Sequence, residues 1–428
     1  MIIIGALVII CTLLVIGVSV PMAFGGVLVF IGFFGGHDVT GFLPTGHRKM
    51  NSVVLLAIPL FILAGAIMER GRIAAPLVSV AELLVGHIRG GLSGGAVIAS
   101  GIFGSISGSA AATLTCIGSV MMPHLKDANY PRGPAAALIV SACPLGLLIP
   151  PSSSQILYAW VAQQSVLRCF LSTVVPGLIL IALLCVVNRF LMRNADLKVA
   201  PLGQNFSREL IQRGGYALPA LLMPVIILGG IYGGIMTPTE AAGVAVVYAI
   251  PVGFFVYKGL TIDNFWPTLR YAGVTIGVVM LMVFMVVIVS RFLVFEDIPG
   301  MAEELVYAIS DNPIVILLMV NVVMILMGML MDDISGLLLS APLLLPIVQS
   351  VGMDPVHFAA VLGVNLGMAN ITPPTAPLLY LGARVTDTPV TEMLKPTFIL
   401  IAFAWLPTLM LTTFVPQVAL WLPDLVFG

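Results

Sequence analysis

The sequence GLLIPPSSSQIL at residues 146–157 has a counterpart 223 residues later, ANITPPTAPLLY at residues 369–380. Each contains two consecutive prolines in an apolar segment. Proline lacks a backbone donor and clashes with the preceding helical turn, so each segment predicts a helix that is broken near its middle. The same shift pairs Phe61 with Phe284, Pro76 with Pro299, Pro123 with Pro346, Ala136 with Ala359 and Leu138 with Val361. One shift that aligns so many landmarks indicates an internal repeat; two unrelated bundles with proline breaks are the alternative.

The composition is that of a membrane protein. The chain has 428 residues, of which 60% are hydrophobic and 9% charged, and its formal net charge is −1. A soluble domain carries about 25% charged residues, and a membrane span needs roughly 20 apolar ones. The balanced charge gives no indication of nucleic-acid binding. The sequence therefore predicts an all-α polytopic membrane protein.

The apolar segments predict both full spans and re-entrant pieces. Spans are predicted at 1–34, 51–69, 130–166, 168–192, 212–231, 239–257, 271–295, 355–384 and 395–422. Segments 92–123 and 313–348 carry Gly, Ser, Asp or Pro near their middles, which favours re-entrant hairpins surrounded by protein or water. Segments 72–89 and 297–311 mix charged and apolar residues and predict interfacial helices.

The positions of Lys and Arg orient these spans. If the loop at 189–213 is cytoplasmic, fourteen of the 18 basic residues fall on that side and only Arg48, Lys49 and Arg168 on the other, with Arg291 near a span end. This asymmetry is what the positive-inside rule expects. The N-terminus is then cytoplasmic, the C-terminus periplasmic, and the turn at 237–239 periplasmic.

The orientation also predicts how the repeats are arranged. Each repeat has three full crossings, and two further spans separate them, so the second repeat enters the membrane from the opposite face. The predicted regions are an N-terminal span and loop at 1–50, a first repeat at 51–192, a linker with two connecting spans at 193–270 and a second repeat at 271–422. Inverted repeats with broken helices are typical of secondary transporters that bind solute near the midplane.

The broken helices and hairpin tips supply oxygen ligands that suit a sodium ion. Unwinding frees carbonyl groups such as those of Ile149 and Thr372, and hydroxyl groups of Ser152 and Thr375 lie beside them. The first predicted ligand set is Ser105, Gly108, Gly146, Ile149 and Ser152, and the shift of 223 gives the second as Gly328, Met331, Ala369, Thr372 and Thr375. Proline breaks that only kink the helices are the alternative.

Charged and polar residues near the same breaks are candidates for coupling and solute binding. A carboxylate in an apolar hairpin is costly and hence a functional candidate, so Asp332 is predicted to couple ion binding to transport; a helix cap is the alternative. An anionic solute needs donors, and the candidates are Ser107, Ser109, Asn370, Ser290 and Arg291. The alternative for Arg291 is that it snorkels to the interface. Because Asp332 would repel an anion, sodium is expected to bind first.

Several motifs extend over nearly the whole chain. They are FGSISGSAAAT (103–113), AALIVSACPLGLLIPPSSSQILYA (136–159), GGIMTPTEAAGVAVVYA (233–249), GMLMDD with APLLLP (328–346), GMDPVHF (352–358) and NLGMANITPPTAPLLYLGA (365–383). With them the chain resembles the large membrane subunit, M or DctM-like, of tripartite ATP-independent periplasmic (TRAP) transporters in the ion-transporter superfamily. Thr375-Ala376-Pro377 departs from the Val-Gly that the family often has after its second proline pair.

The resemblance implies sodium-coupled uptake of an organic anion, usually a carboxylate such as sialic acid or a C4-dicarboxylate, by an elevator movement. It implies a periplasmic binding protein (P-type) that delivers the solute and a small membrane subunit (Q-type) that braces the scaffold. The implied location is the bacterial or archaeal cytoplasmic membrane. No covalent cofactor is expected; sodium ions are the coupling ions.

Three other functions are possible from the residues alone. One is an ion-coupled anion carrier that works without a binding protein. Another is a membrane enzyme that uses Asp332 and Asp333, although the sequence has no nucleophile–base pairing or metal-ligand spacing. A channel would need a filter repeated around an axis, which two inverted hairpins do not supply.

Overall fold

In the computed structural model the described residues, 5, 8–10, 12, 13, 16–34, 39–198 and 206–428, form helices joined by short turns, with no strand among them. The predicted first span at 1–34 and the predicted linker at 193–270 lie partly outside this described part.

Ten α-helices with described bounds lie in the first half of the chain, from residue 20 onward. They are α1 (Val20–Phe34), α2 (Leu43–Met50, after a 3₁₀ turn at Val39–Phe42), α3 (Val53–Arg70), α4 (Ala74–Val85), α5 (Gly91–Ser107), α6 (Ala110–Asp127), α7 (Arg132–Ala142), α8 (Leu145–Leu148), α9 (Ser153–Val161) and α10 (Val166–Leu191).

The second half contains eleven more within the described residues. They are α11 (Phe206–Tyr232), α12 (Pro238–Pro251, with a π-helical turn at Val252–Val256), α13 (Ile262–Phe295), α14 (Ile298–Ile309), α15 (Pro313–Leu330), α16 (Asp333–Ser350), α17 (Pro355–Ala369), α18 (Pro377–Val385), α19 (Val390–Leu400, with a π-helical turn at Ile401–Trp405), α20 (Leu406–Phe414) and α21 (Pro416–Phe427).

Among the described residues, eight helical segments are long and apolar enough to cross a bilayer. They are Val53–Arg70, Val166–Leu191, Arg208–Tyr232, Pro238–Val256, Ile262–Phe295, Pro313–Leu330, Asp333–Ser350 and Val390–Phe414. A ninth would be the pair Arg132–Leu148 and Ser153–Val161, which is bent by 44° at the first proline pair. The prediction of an all-α polytopic membrane protein is confirmed.

The two predicted hairpins are helix pairs with very short turns. Gly108 and Ser109 separate α5 from α6, and Met331 and Asp332 separate α15 from α16. Gly108 has a φ of +61°, a left-handed conformation that glycine adopts without steric cost. The helices α15 and α16 have 18 residues each, which corresponds to about 27 Å. Because the hydrocarbon core is roughly 30 Å thick, their length alone does not distinguish a re-entrant hairpin from two spans, and re-entry stays a prediction.

The helices of the two halves correspond at the shift of 223. Moved by that number, α6 coincides with α16, and α10 coincides with the segment from α19 through α20 to within one residue. Both proline pairs, Pro150-Pro151 and Pro373-Pro374, have cis peptide bonds. The repeat boundaries and the inverted orientation stay predictions.

Packing between the halves is reciprocal. Helix α9 packs against α16, and α18, which corresponds to α9, packs against α6, which corresponds to α16. In the same way α7 packs against α19, while α17 packs against α10. Contacts in which each half presents the same surface to the other are those of a two-fold relation.

Buried polar side chains connect the two halves. Tyr158 Oη donates to the Pro355 carbonyl at 2.6 Å, Gln155 Nε2 donates to the Ala359 carbonyl at 3.2 Å, and Trp405 Nε1 donates to the Ser141 carbonyl at 3.1 Å. A buried polar group without a partner is costly, so each of these contacts favours one register between the halves. The broken helices are thereby held in the centre of the protein.

The predicted topology can be tested at the turn before α12. Ile235 in this turn is 80% exposed, and a cysteine there, with the native cysteines replaced by alanine, should react with an impermeant maleimide added outside whole spheroplasts. Arg193→Cys, in the loop predicted to be cytoplasmic, is the control and should react only after lysis. The reverse pattern would contradict the predicted orientation.

Candidate functional site

The tip of the first hairpin lies directly against the first broken helix. A Cβ placed on Gly104 would lie 2.6 Å from Cα of Gly146, so the two backbones touch. Ser153 Oγ donates to the Gly108 carbonyl at 3.0 Å. The structure therefore brings together Gly108, Gly146 and the residues beside Ser152, as the sequence predicts, because small residues allow the backbones to approach.

Two hydroxyl groups of the first predicted ligand set have local partners. Ser152 is fully buried, with an extended backbone, and its Oγ lies 2.8 Å from Oγ of Ser154. Ser105 is also buried, and its Oγ donates to the Ile102 carbonyl at 2.7 Å. Ile149 is the extended residue between α8 and the proline pair. The backbone around Ile149 and Ser152 is thus unwound, which leaves carbonyl groups outside the regular helical ladder.

The second predicted set shares the close contact at a glycine but not the burial, because Thr375 is exposed whereas Ser152 is fully buried. A Cβ placed on Gly328 would lie 2.6 Å from Cβ of Ala369, so the hairpin again meets the broken helix at a glycine. The Thr375 hydroxyl donates to the Met329 carbonyl, and the Thr372 hydroxyl donates to the Met368 carbonyl at 2.7 Å.

Asn370 and Met331 are buried at the second break and at the tip of the second hairpin, respectively. The Asn370 carbonyl accepts a hydrogen bond from the Leu378 amide at 3.2 Å, which bridges the break. Met331 lies one residue before Asp332, which occupies the N-cap position of α16. Both therefore lie where the hairpin and the broken helix meet or immediately beside that point.

A cavity of about 450 Å³ lies beside the first hairpin tip. Its lining comes from α3, the first hairpin, α9, α13, α16 and α18. The polar and charged residues in the lining are Glu69, Arg70, Ser107, Ser109, Thr115, Ser153, Thr268, Tyr271, Thr275 and Asp333. A cleft of this size that combines apolar walls with convergent polar groups suits a small-molecule site.

The cavity includes some predicted solute-binding residues and not others. Ser107 and Ser109 line it, whereas Ser290 and Arg291 are not among its described lining residues. Arg291 is exposed, as the snorkelling alternative expects. The cavity does have an arginine, Arg70, at the end of α3.

The two aspartates of the second tip have different surroundings. Asp332 occupies the N-cap position of α16 without a capping hydrogen bond from its side chain, which instead accepts one from the Ser335 hydroxyl. Asp333, one residue later, lines the cavity. The sequence shows the pair but not which of the two faces the cavity, because that depends on how the hairpin turns.

Sequence reasoning missed several residues of this site. Ser153 and Thr113 hold the first tip in place, since Thr113 Oγ1 donates to the Ser109 carbonyl at 2.8 Å. Glu69 and Arg70 line the cavity although they end a span and read as ordinary interfacial charges. Their only sequence signal is a charged pair at the end of an apolar helix, which is too common to indicate a site.

Comparison with known proteins places this arrangement in a family. The chain matches the family described as "Tripartite ATP-independent periplasmic transporter, DctM component" over residues 7–418. It is 34% identical over 420 residues to the sialic acid TRAP transporter large permease protein SiaM of Vibrio cholerae serotype O1, and the match covers 96% of each chain. It is also 34% identical over 406 residues to the C4-dicarboxylate TRAP transporter large permease protein DctM of Pseudomonas aeruginosa, covering 92% of this chain and 93% of that protein.

Among solved structures, the fold is similar to the YdaH transporter of Alcanivorax borkumensis. The TM-score is 0.56 at 15% sequence identity, over 90% of this chain and 87% of that one. At this identity the similarity concerns the fold alone.

Because of the close contact at the first tip, we expect alanine substitutions at two glycines to differ in their effect on stability. Gly104→Ala would place a methyl group against the Gly146 backbone, whereas Gly273→Ala in α13 meets nothing within 4 Å. We expect Gly104→Ala to lower the free energy of unfolding by about 1–3 kcal/mol and Gly273→Ala to leave it equal or slightly higher. Thermal melting of both purified variants is the measurement; equal melting temperatures would contradict the packing described.

Proposed function

Because the chain belongs to the DctM family of TRAP transporter large permeases, we propose that it carries an organic anion into the cell together with sodium ions. It is a transporter of the bacterial cytoplasmic membrane rather than an enzyme. The solute and the coupling ion are the parts of this function that we propose.

The observation that carries the proposal is the pair of similar tip-and-break sites. At each, a hairpin glycine contacts the residue four positions before a proline pair, and a hydroxyl from the broken segment donates to a carbonyl of the hairpin. Carbonyl and hydroxyl oxygens are the ligands that a hard cation such as sodium prefers. We therefore assign one sodium ion to each site.

The cavity is where the solute would bind. It adjoins the first tip, and exposed lining residues such as Arg70 and Tyr271 form its mouth. These residues end α3 and lie near the start of α13, on the side that the distribution of Lys and Arg predicts to be cytoplasmic. An opening on this side corresponds to a conformation that releases solute inward.

Membership of the family supports proposals for how the solute reaches the permease and for which helices move during transport. Relatives named large permease proteins support a complex with a small membrane subunit and a periplasmic binding protein. In the mechanism we propose, both hairpins and both broken helices move as one body, because α9 packs on α16 and α18 on α6. The scaffold would then be formed by α11, α12 and the outer spans.

Removing one hydroxyl from each break tests the ion assignment. Ser152→Ala and Thr375→Ala should each raise the sodium concentration that gives half-maximal uptake, since each loses an oxygen beside a proposed ion. Uptake is measured in proteoliposomes that contain the permease with its small subunit and binding protein, under an imposed sodium gradient. Thr239→Ala, in the first turn of α12, is the control. Unchanged sodium dependence in both test variants would refute the assignment, and solute accumulation without a sodium gradient would refute the proposed function.

The predicted order of binding is tested at the second tip. Asp332→Asn removes a negative charge near the anion but weakens retention of sodium. We therefore expect uptake to fall and its half-maximal sodium concentration to rise in the same assay. Normal transport by this variant at low sodium would mean that Asp332 acts only structurally, through its hydrogen bond with Ser335.

A further inference from the structure

The threonine hydroxyl groups around the cavity already donate hydrogen bonds within their own helices. Thr115, Thr268 and Thr275 each donate to the carbonyl four residues earlier, at 2.9, 2.7 and 3.1 Å. A hydroxyl has one proton to donate and two lone pairs that accept. These three side chains therefore present acceptors to a solute.

The serines of the first tip are engaged in a similar way. Ser153 Oγ donates to the Gly108 carbonyl at 3.0 Å. Ser107 Oγ lies 3.3 Å from the Ser109 carbonyl and 3.1 Å from the Thr113 hydroxyl, which itself donates to that carbonyl. The hydroxyl proton of each serine is therefore already used in a hydrogen bond within the protein. Ser107, a predicted donor to the solute, instead holds the hairpin tip together in this conformation.

Three side chains in the described lining can still donate a hydrogen bond to a solute. The Arg70 side chain makes no hydrogen bond or salt bridge within the described part of the chain, although its charge interacts with that of the neighbouring Glu69. Its guanidinium has five N–H groups. Tyr271 is 66% exposed at the mouth. Ser109 Oγ accepts from the Ala112 amide at 3.5 Å and keeps its proton. Arg70 is the only Lys or Arg in the described lining.

The charges of the lining restrict the solute further. Glu69 and Asp333 present carboxyl oxygens that accept hydrogen bonds, and Arg70 is the only basic side chain beside them in the described lining. A second carboxylate on the solute would find no second Lys or Arg side chain in the described lining; the sodium ions proposed above would be held by the carbonyl and hydroxyl oxygens of the tips and breaks. Hydroxyl or ammonium groups on the solute would instead find the carboxylate and threonine oxygens as acceptors.

We propose that the solute is an organic monoanion that also carries several hydrogen-bond donors, and that its anionic group binds Arg70. The inference rests on the proposed transport function and narrows it. It favours a polyhydroxylated monocarboxylate over a dicarboxylate, and so separates two solute classes that the relatives of this chain carry.

Three six-carbon acids that differ in their number of carboxylates and in their hydroxyl groups test this proposal. D-gluconate is a hydroxylated monoanion, D-glucarate adds a second carboxylate, and hexanoate has the single carboxylate without hydroxyls. The purified permease in sodium buffer should melt at a higher temperature with D-gluconate and at an unchanged temperature with the other two. An equal or larger rise with D-glucarate or hexanoate, or no rise with D-gluconate, would overturn the proposal.

Arginine variants test the assigned residue. Arg70→Gln should weaken D-gluconate binding on the order of 10-fold or more, since charged hydrogen bonds contribute about 1.5–3 kcal/mol, and Arg70→Lys should weaken it less because it keeps the charge without the planar fork. Arg72→Gln removes the same charge at an exposed position outside the described lining and is the control. Melting without solute shows whether each variant is folded.

The outcomes separate this inference from the proposed function. If Arg70→Gln binds D-gluconate as tightly as Arg72→Gln, Arg70 is not the anion-binding residue, whatever the coupling ion. If the complex accumulates a dicarboxylate on a sodium gradient, the proposed transport function stands and the monoanion inference fails.

Discussion

Two pairs of prolines impose the constraint on which this structure depends. Within a membrane protein, backbone groups that leave the helical ladder must find partners in the protein, in bound water or in an ion. At Pro150-Pro151 and Pro373-Pro374 the ladder is interrupted, and each time the tip of a hairpin is placed against the interruption. The short turns of the hairpins, the close approach of glycines and the burial of Ser152 all follow from the need to satisfy this exposed backbone.

The sequence predicted the framework well because its strongest signals are local. Proline pairs end helices by covalent geometry, and long apolar runs predict spans from composition alone. The shift of 223 then transferred each prediction from one half to the other, and the helices α6 and α16 correspond at that shift to the residue.

The lining of the cavity was predictable only in part. Ser107 and Ser109 were found because a polar tip in an apolar hairpin is unusual, but the direction in which each hydroxyl donates depends on Thr113, a partner that the sequence does not reveal. Arg70 was missed because a basic residue at the end of a span has an ordinary explanation. Arg291 is a candidate from the sequence because it ends a long apolar run, and it is exposed, as the snorkelling alternative expects. Which face of a helix meets a cavity is a property of packing between distant segments.

We propose that each tip-and-break site holds a sodium ion. Maps of the complex determined by electron cryo-microscopy in sodium and in choline buffer would show whether it does. We expect density among the oxygens beside Gly108 and Ser153, and among those beside Gly328 and Thr375, in sodium and not in choline. Density at neither place, or the same density in both buffers, would contradict it.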